Sequence, residues 1–206
     1  MALQNLDPAI QCALRQAEES FCDFFGLRLF AESFLHAFAY LLTPGGTRRV
    51  ANYPNTKTRI TNLLMAAKTM GISPPDDFAH WFRDDITMFG PKEQFLVELA
   101  DDATASITAS LLSEAIEIAN AASVPTHSKV KVELVRNAFS LLTPAAQIGD
   151  LVNILVAAWE VQYEVNLWEG IVPGKDRRDT LNELVLKSIE ILEFEERMSD
   201  TNGAKS

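Results

Sequence analysis

Acid–base or metal chemistry in this chain would have to run through three histidines, His36, His80 and His127, and two cysteines, Cys12 and Cys22. His80 and Asp84 stand four residues apart, about one turn of a helix, with Asp85 beside them. Structural zinc takes four ligands, as a rule Cys or His, and neither His36 nor His127 has ligand-like spacing to this pair. The pair reads as a His-Asp couple on a helix surface, and no metal is expected. A phosphohydrolase of the His-Asp type needs the two residues adjacent, which they never are here. No serine sits in a Gly-x-Ser-x-Gly elbow, and neither cysteine lies near a histidine. Of the paired carboxylates Asp76/Asp77, Asp84/Asp85, Asp101/Asp102 and Glu195/Glu196, most read as helix-N-terminal or solvated charges. No catalytic set and no cofactor are expected.

One charge anomaly carries a binding hypothesis. The net charge is −10, yet residues 33–75 contain no Asp or Glu, while the same span holds Arg48, Arg49, Lys57, Arg59 and Lys68. The segment includes the Gly45-Gly46 turn and leads into a helix start near Thr56. There, free N–H groups and the helix dipole favour an anion. An arginine fork can hold a carboxylate or phosphate with two bonds. The expected anion- or partner-binding residues are therefore Gly45, Gly46, Arg48, Arg49, Lys57 and Arg59, on a recognition loop over 45–59. The alternative is that these arginines pair with acids of neighbouring helices.

The elements around this loop read as helices throughout. Asp7-Pro8 opens the first, with Ile10, Ala13, Leu14, Ala17 and Phe21 at helical spacing. Gly26 marks a break or kink, and Phe30, Phe34 and Phe38 follow as a core stripe. Asn55 or Thr56 caps a third helix that stops at Gly71. A fourth is expected from Ser73-Pro74 to Phe89, ended by Gly90-Pro91. Helix continues over 91–122, with an interruption near Asp101-Asp102 and small residues over 103–109 that allow close helix approach. After a loop at 123–126, another helix runs to Leu142. Leu41-Leu42-Thr43-Pro44 recurs as Leu141-Leu142-Thr143-Pro144, which reads as shared helix-end chemistry.

The chain is expected to be built around a C-terminal hairpin over 143–198. Thr143-Pro144 reads as a helix start, and a two-sided apolar pattern over 144–168 predicts a sandwiched, central helix with Trp159 in its core. Asn153 and Gln162 then need partners. Ile171-Val172-Pro173-Gly174 makes the turn, and Thr180 with Glu183 has capping-box spacing for the last helix. Phe194 and Met198 lie off its main stripe, as end packing or a partner surface. The tail over 200–206 is expected to fray.

These elements define an all-α class: a single helical domain over 1–206 of about seven or eight helices, with a possible sub-boundary near 123–126. Cys12 and Cys22 on one helix lie about 15 Å apart, too far to bridge. With no signal-peptide pattern, a reducing cytoplasm is expected. No apolar run reaches the ~18 residues of a membrane span. The acidic charge speaks against direct nucleic-acid binding. The leading expectation is a non-catalytic helical interaction module, a subunit or regulator of a cytoplasmic assembly, whose partner is another protein or a second copy. The alternative is an enzyme or ligand-binding domain for a phosphate-bearing small molecule using 45–59. A weaker one is an acidic decoy of a nucleic-acid-binding surface.

Overall fold

A computed structural model describes residues 6–43, 48–146 and 150–203. Among them the chain is all-α, with helices α1 Leu6–Phe30, α2 Glu32–Leu42, α3 Thr56–Met70, α4 Pro91–Ala121, α5 Lys129–Ser140, α6 Leu151–Tyr163 and α7 Arg177–Gly203. A 3₁₀ turn lies at Phe78–Trp81. No helix among the described residues is long and apolar enough to cross a membrane. The chain divides into two compact units, Met1–Val124 and Pro125–Ser206.

In the first unit α1 is the helix on which α2, α3 and α4 pack. It continues unbroken through Gly26, where a break or kink is expected from the sequence. The glycine serves a close approach: a Cβ there would overlap the Phe34 ring. The break comes at Ala31 instead, which takes a left-handed φ of 49°. α3 starts and stops as its local chemistry dictates. The Asn55 side chain accepts from the Thr58 N–H at 2.7 Å, and Gly71 ends it at φ 69°. α4 begins with Pro91 at its first turn and passes Asp101-Asp102 without interruption.

The fourth helix expected over 73–89 does not form. Pro75 disfavours helix at the residue before it, Asp77 turns left-handed, and only Phe78–Trp81 coils. Phe78 and Phe82 pack with Phe38 in an aromatic cluster, their ring centroids 5.1–6.5 Å apart. Beyond Phe82 the chain extends, and the Arg49 N–H donates to the Ile86 carbonyl at 3.0 Å.

In the second unit α6 packs against α5 and α7. It is shorter than the expected 144–168 helix. Thr143 does not cap its start; the Thr143 hydroxyl donates back to the Ala138 carbonyl at 2.8 Å, closing the end of α5. Thr43 does the same to Ala39 at the end of α2 (2.8 Å), so the repeated Leu-Leu-Thr motif is a helix stop in both places. Buried Asn153 satisfies itself within the unit: its Oδ1 accepts from the Ser128 N–H at 2.7 Å, and its amide donates to Asp150 at 3.2 Å. Arg177 donates to the carbonyls of Val161, Glu164 and Val165, closing the C-terminal end of α6. α7 therefore starts at Arg177, ahead of the expected capping box, and the Thr180 hydroxyl donates to the Asp176 carbonyl instead. Trp159 is only partly buried, stacked on exposed Tyr163 at 6.1 Å. The core tryptophan is Trp168, in the connection after α6. The helix of α7 extends through residues 200–203, which were expected to fray.

Candidate functional site

The basic segment is tied into the fold by its arginines. Arg49 is 6 % exposed, with Nη2 on Asp101 Oδ1 of α4 at 2.5 Å and Nη1 donating to the Val50 carbonyl at 2.9 Å. The same Asp101 oxygen accepts from Gln16 of α1 at 2.7 Å, and Gln16 also donates to the Ala51 carbonyl at 2.9 Å. Arg59 grips Asp23 of α1 with two bonds, 2.8 and 2.7 Å, and its guanidinium lies 4.9 Å from the Phe38 ring centroid. Burial pushes the Asp23 carboxyl above its ordinary range, while Arg59 opposes that rise. Two forks that could hold a phosphate thus hold the chain's own carboxylates.

The start of α3, expected to offer free N–H groups to an anion, is also occupied. Asp85 accepts from the Thr56 N–H at 2.7 Å and from its hydroxyl at 2.6 Å. Here the extended 82–90 segment brings an acid to the positive end of the helix. Arg48 and Lys57 are exposed, and among the described residues they form no ion pair. Gly45 and Gly46 lie outside the described residues. A hollow of about 250 Å³ beside Lys57 and Arg49 is lined by three acids, Asp84, Asp85 and Asp101. Its acids outnumber its bases, the wrong balance for a phosphate.

Arg48 and Arg49 therefore differ sharply in expected effect. Arg48→Glu should move the unfolding free energy by no more than about 0.5 kcal/mol, as surface changes do. Arg49→Glu sets a carboxylate against Asp101 and should cost at least about 2 kcal/mol. Urea denaturation of the two single variants checks this, and equal midpoints would contradict the placement of Arg49.

His80 and Asp84 share no helix. His80 lies 3.7 Å from Asp77, both side chains over four-fifths exposed. No cluster of three or more metal-ligating side chains occurs among the described residues. His36 is half-buried, its ring centroid 6.3 Å from that of Trp81.

An apolar groove along α1 and α4 is the larger feature. The two helices run parallel: the Thr104 hydroxyl reaches the Ala13 carbonyl at 3.3 Å, and Arg28 reaches Asn120 at 3.0 Å. Small side chains at Ala9, Ala13 and Ala17 leave a hollow of about 450 Å³. Its shoulders are Ile10, Leu14, Leu99 and Ile107, exposed by 49, 53, 39 and 42 %. Among the described residues, no charged one lines it. Its hydroxyls are engaged by their own helix, Thr104 with the Ala100 carbonyl at 2.9 Å and Ser106 with Ala103 at 2.6 Å. The groove thus offers apolar contact and little to orient a polar small molecule. Ile10 and Leu14 belong to the apolar residues at helical spacing along α1. They lie on the side of α1 next to the core-facing Ala9, Gln16 and Ser20 row, about 100° round the helix from Ala9 for Ile10. Phe194 and Met198 are also exposed on α7.

No family model, curated protein or solved structure matches the chain.

Proposed function

We propose that the chain is a non-catalytic protein–protein interaction module, a subunit or regulator of a cytoplasmic assembly, and that a partner protein docks in the α1/α4 groove. The observation that carries this reading is four large aliphatic side chains half out in water around one apolar hollow. Contiguous exposed apolar surface of this kind marks interaction sites in soluble proteins. Burying such side chains against a partner gains about 25 cal/mol for each Å² removed from water. The two arginine forks of the basic segment serve internal ion pairs, and the nearby hollow is acid-lined, so a phosphate-bearing ligand finds less support.

The test is affinity capture from cells of the source organism with three baits: the unaltered chain, Ile10→Gln with Leu14→Gln, and Arg48→Glu. Both substituted sites are exposed, so all three should melt alike. The expected result is a protein held by the first and third baits and lost from the second. A partner held equally by the groove variant, and lost with Arg48→Glu, contradicts the groove and returns the loop over 45–59 as the contact.

A further inference from the structure

Resting on that reading, we propose that the occupant of the α1/α4 groove is an amphipathic helix of a partner protein, with aliphatic anchors on one face and lysine or arginine along its flanks. The shape argues for a helix. The groove runs from Ala9 to Ala17 on α1 and from Leu99 to Ile107 on α4, about 12 Å at helical rise. That length accepts anchors spaced i, i+3 or i+4, and i+7, the pattern by which a helix fills an apolar groove.

The rims supply the charge. On α1, Asp7 lies three residues before Ile10 and Glu18 four beyond Leu14, so each shares a side of the helix with a shoulder residue. On α4, Asp102 lies three beyond Leu99 and four before Ser106, with Glu98 one turn earlier. All four acids are exposed. The base within this stretch of α1 is Arg15, held by Glu18 at 2.7 Å. The one base of α4 is Lys92, in its first turn. An apolar floor between two acidic rims matches a basic-flanked helix. A second copy of this groove would set acid against acid, and anionic lipid or nucleic acid meets the same repulsion.

The probe is a pair of synthetic helical peptides with the same leucine face, one flanked by lysine and the other by glutamate. Binding of each to the full chain is measured by calorimetry at low and high salt. The lysine peptide should bind at least about tenfold tighter than the glutamate peptide, a difference of about 1.4 kcal/mol. The margin should shrink at high salt. Ile10→Gln with Leu14→Gln keeps every charge and should weaken the lysine peptide by about tenfold. Glu98→Lys with Asp102→Lys should narrow or reverse the preference. No binding of either peptide, equal binding of both, or lysine-peptide binding untouched by the glutamine variant would overturn the proposal. The last outcome would mean nonspecific charge attraction. These outcomes separate from the function itself. Should the native partner be lost from the glutamine variant while the peptides show no charge preference, the groove stands and the basic helix falls.

Discussion

Replacing Arg59 by leucine will cost roughly 3–5 kcal/mol of folding stability, the range for stripping one partner from a buried ion pair. The reason lies in what stays behind. The Asp23 side chain is 7 % exposed and accepts both of the Arg59 bonds. Without the guanidinium it is a buried carboxylate with no counter-charge, and the Phe38 ring loses its cation. Burial already raises the Asp23 carboxyl, and losing Arg59 removes what opposes the rise. A carboxyl raised in the folded state binds its proton more tightly than in the unfolded chain, so its penalty is full at neutral pH. The penalty shrinks as pH falls through the folded-state value and vanishes below about 3.8, the unfolded value. The gap between variant and unaltered chain should therefore narrow on acidification. Asp23→Leu combined with Arg59→Leu should regain much of the loss, because an apolar pair can replace a buried ionic one. Denaturation midpoints at several pH values check all three statements. A gap that widens with acid would mean Asp23 is not the residue left exposed to the cost.

Trp168→Ala should cost about 3–5 kcal/mol in the second unit, the usual range for deleting a buried large aromatic. Trp168 is 4 % exposed, and its indole N–H donates to the carbonyls of Phe139 at 3.0 Å and Ser140 at 3.2 Å. It ties the connection after α6 to the end of α5. Its φ of 68° is left-handed, which a bulky residue adopts only where its surroundings fix it. Trp159→Ala should cost about 1 kcal/mol, since that ring lies partly in water against Tyr163. Calorimetric melting of both variants decides. The reverse order would restore the longer, more deeply buried helix expected from the apolar pattern over 144–168.

What was legible in the sequence is what local chemistry decides. The helical period, a cap at Asn55 or Thr56, the Gly71 stop and a helix starting at Pro91 each depend on a few neighbouring residues. What was not legible depends on partners far along the chain. Asp85 lies 29 residues from the Thr56 group it holds, and that contact accompanies a non-helical 82–89 where a helix was expected. Trp168 lies 29 residues from the Phe139 carbonyl that receives its N–H. The basic segment was visible as charge, but Arg49 meets Asp101 across 52 residues and Arg59 meets Asp23 across 36. Acid-free sequence said nothing of which acids would come to it. The groove was half visible: the small residues over 103–109 signal a close helix approach, yet no periodicity distinguishes an aliphatic residue buried by its own chain from one such as Leu14, left 53 % exposed.

The most direct test of groove docking is amide hydrogen exchange on the full chain, alone and saturated with its captured partner, read by mass spectrometry. Binding should slow exchange in peptides covering residues 9–17 of α1 and 99–107 of α4, and leave 45–59 unchanged. Slowed exchange over 45–59 with α1 and α4 unaffected would contradict groove docking and place the partner on the basic loop.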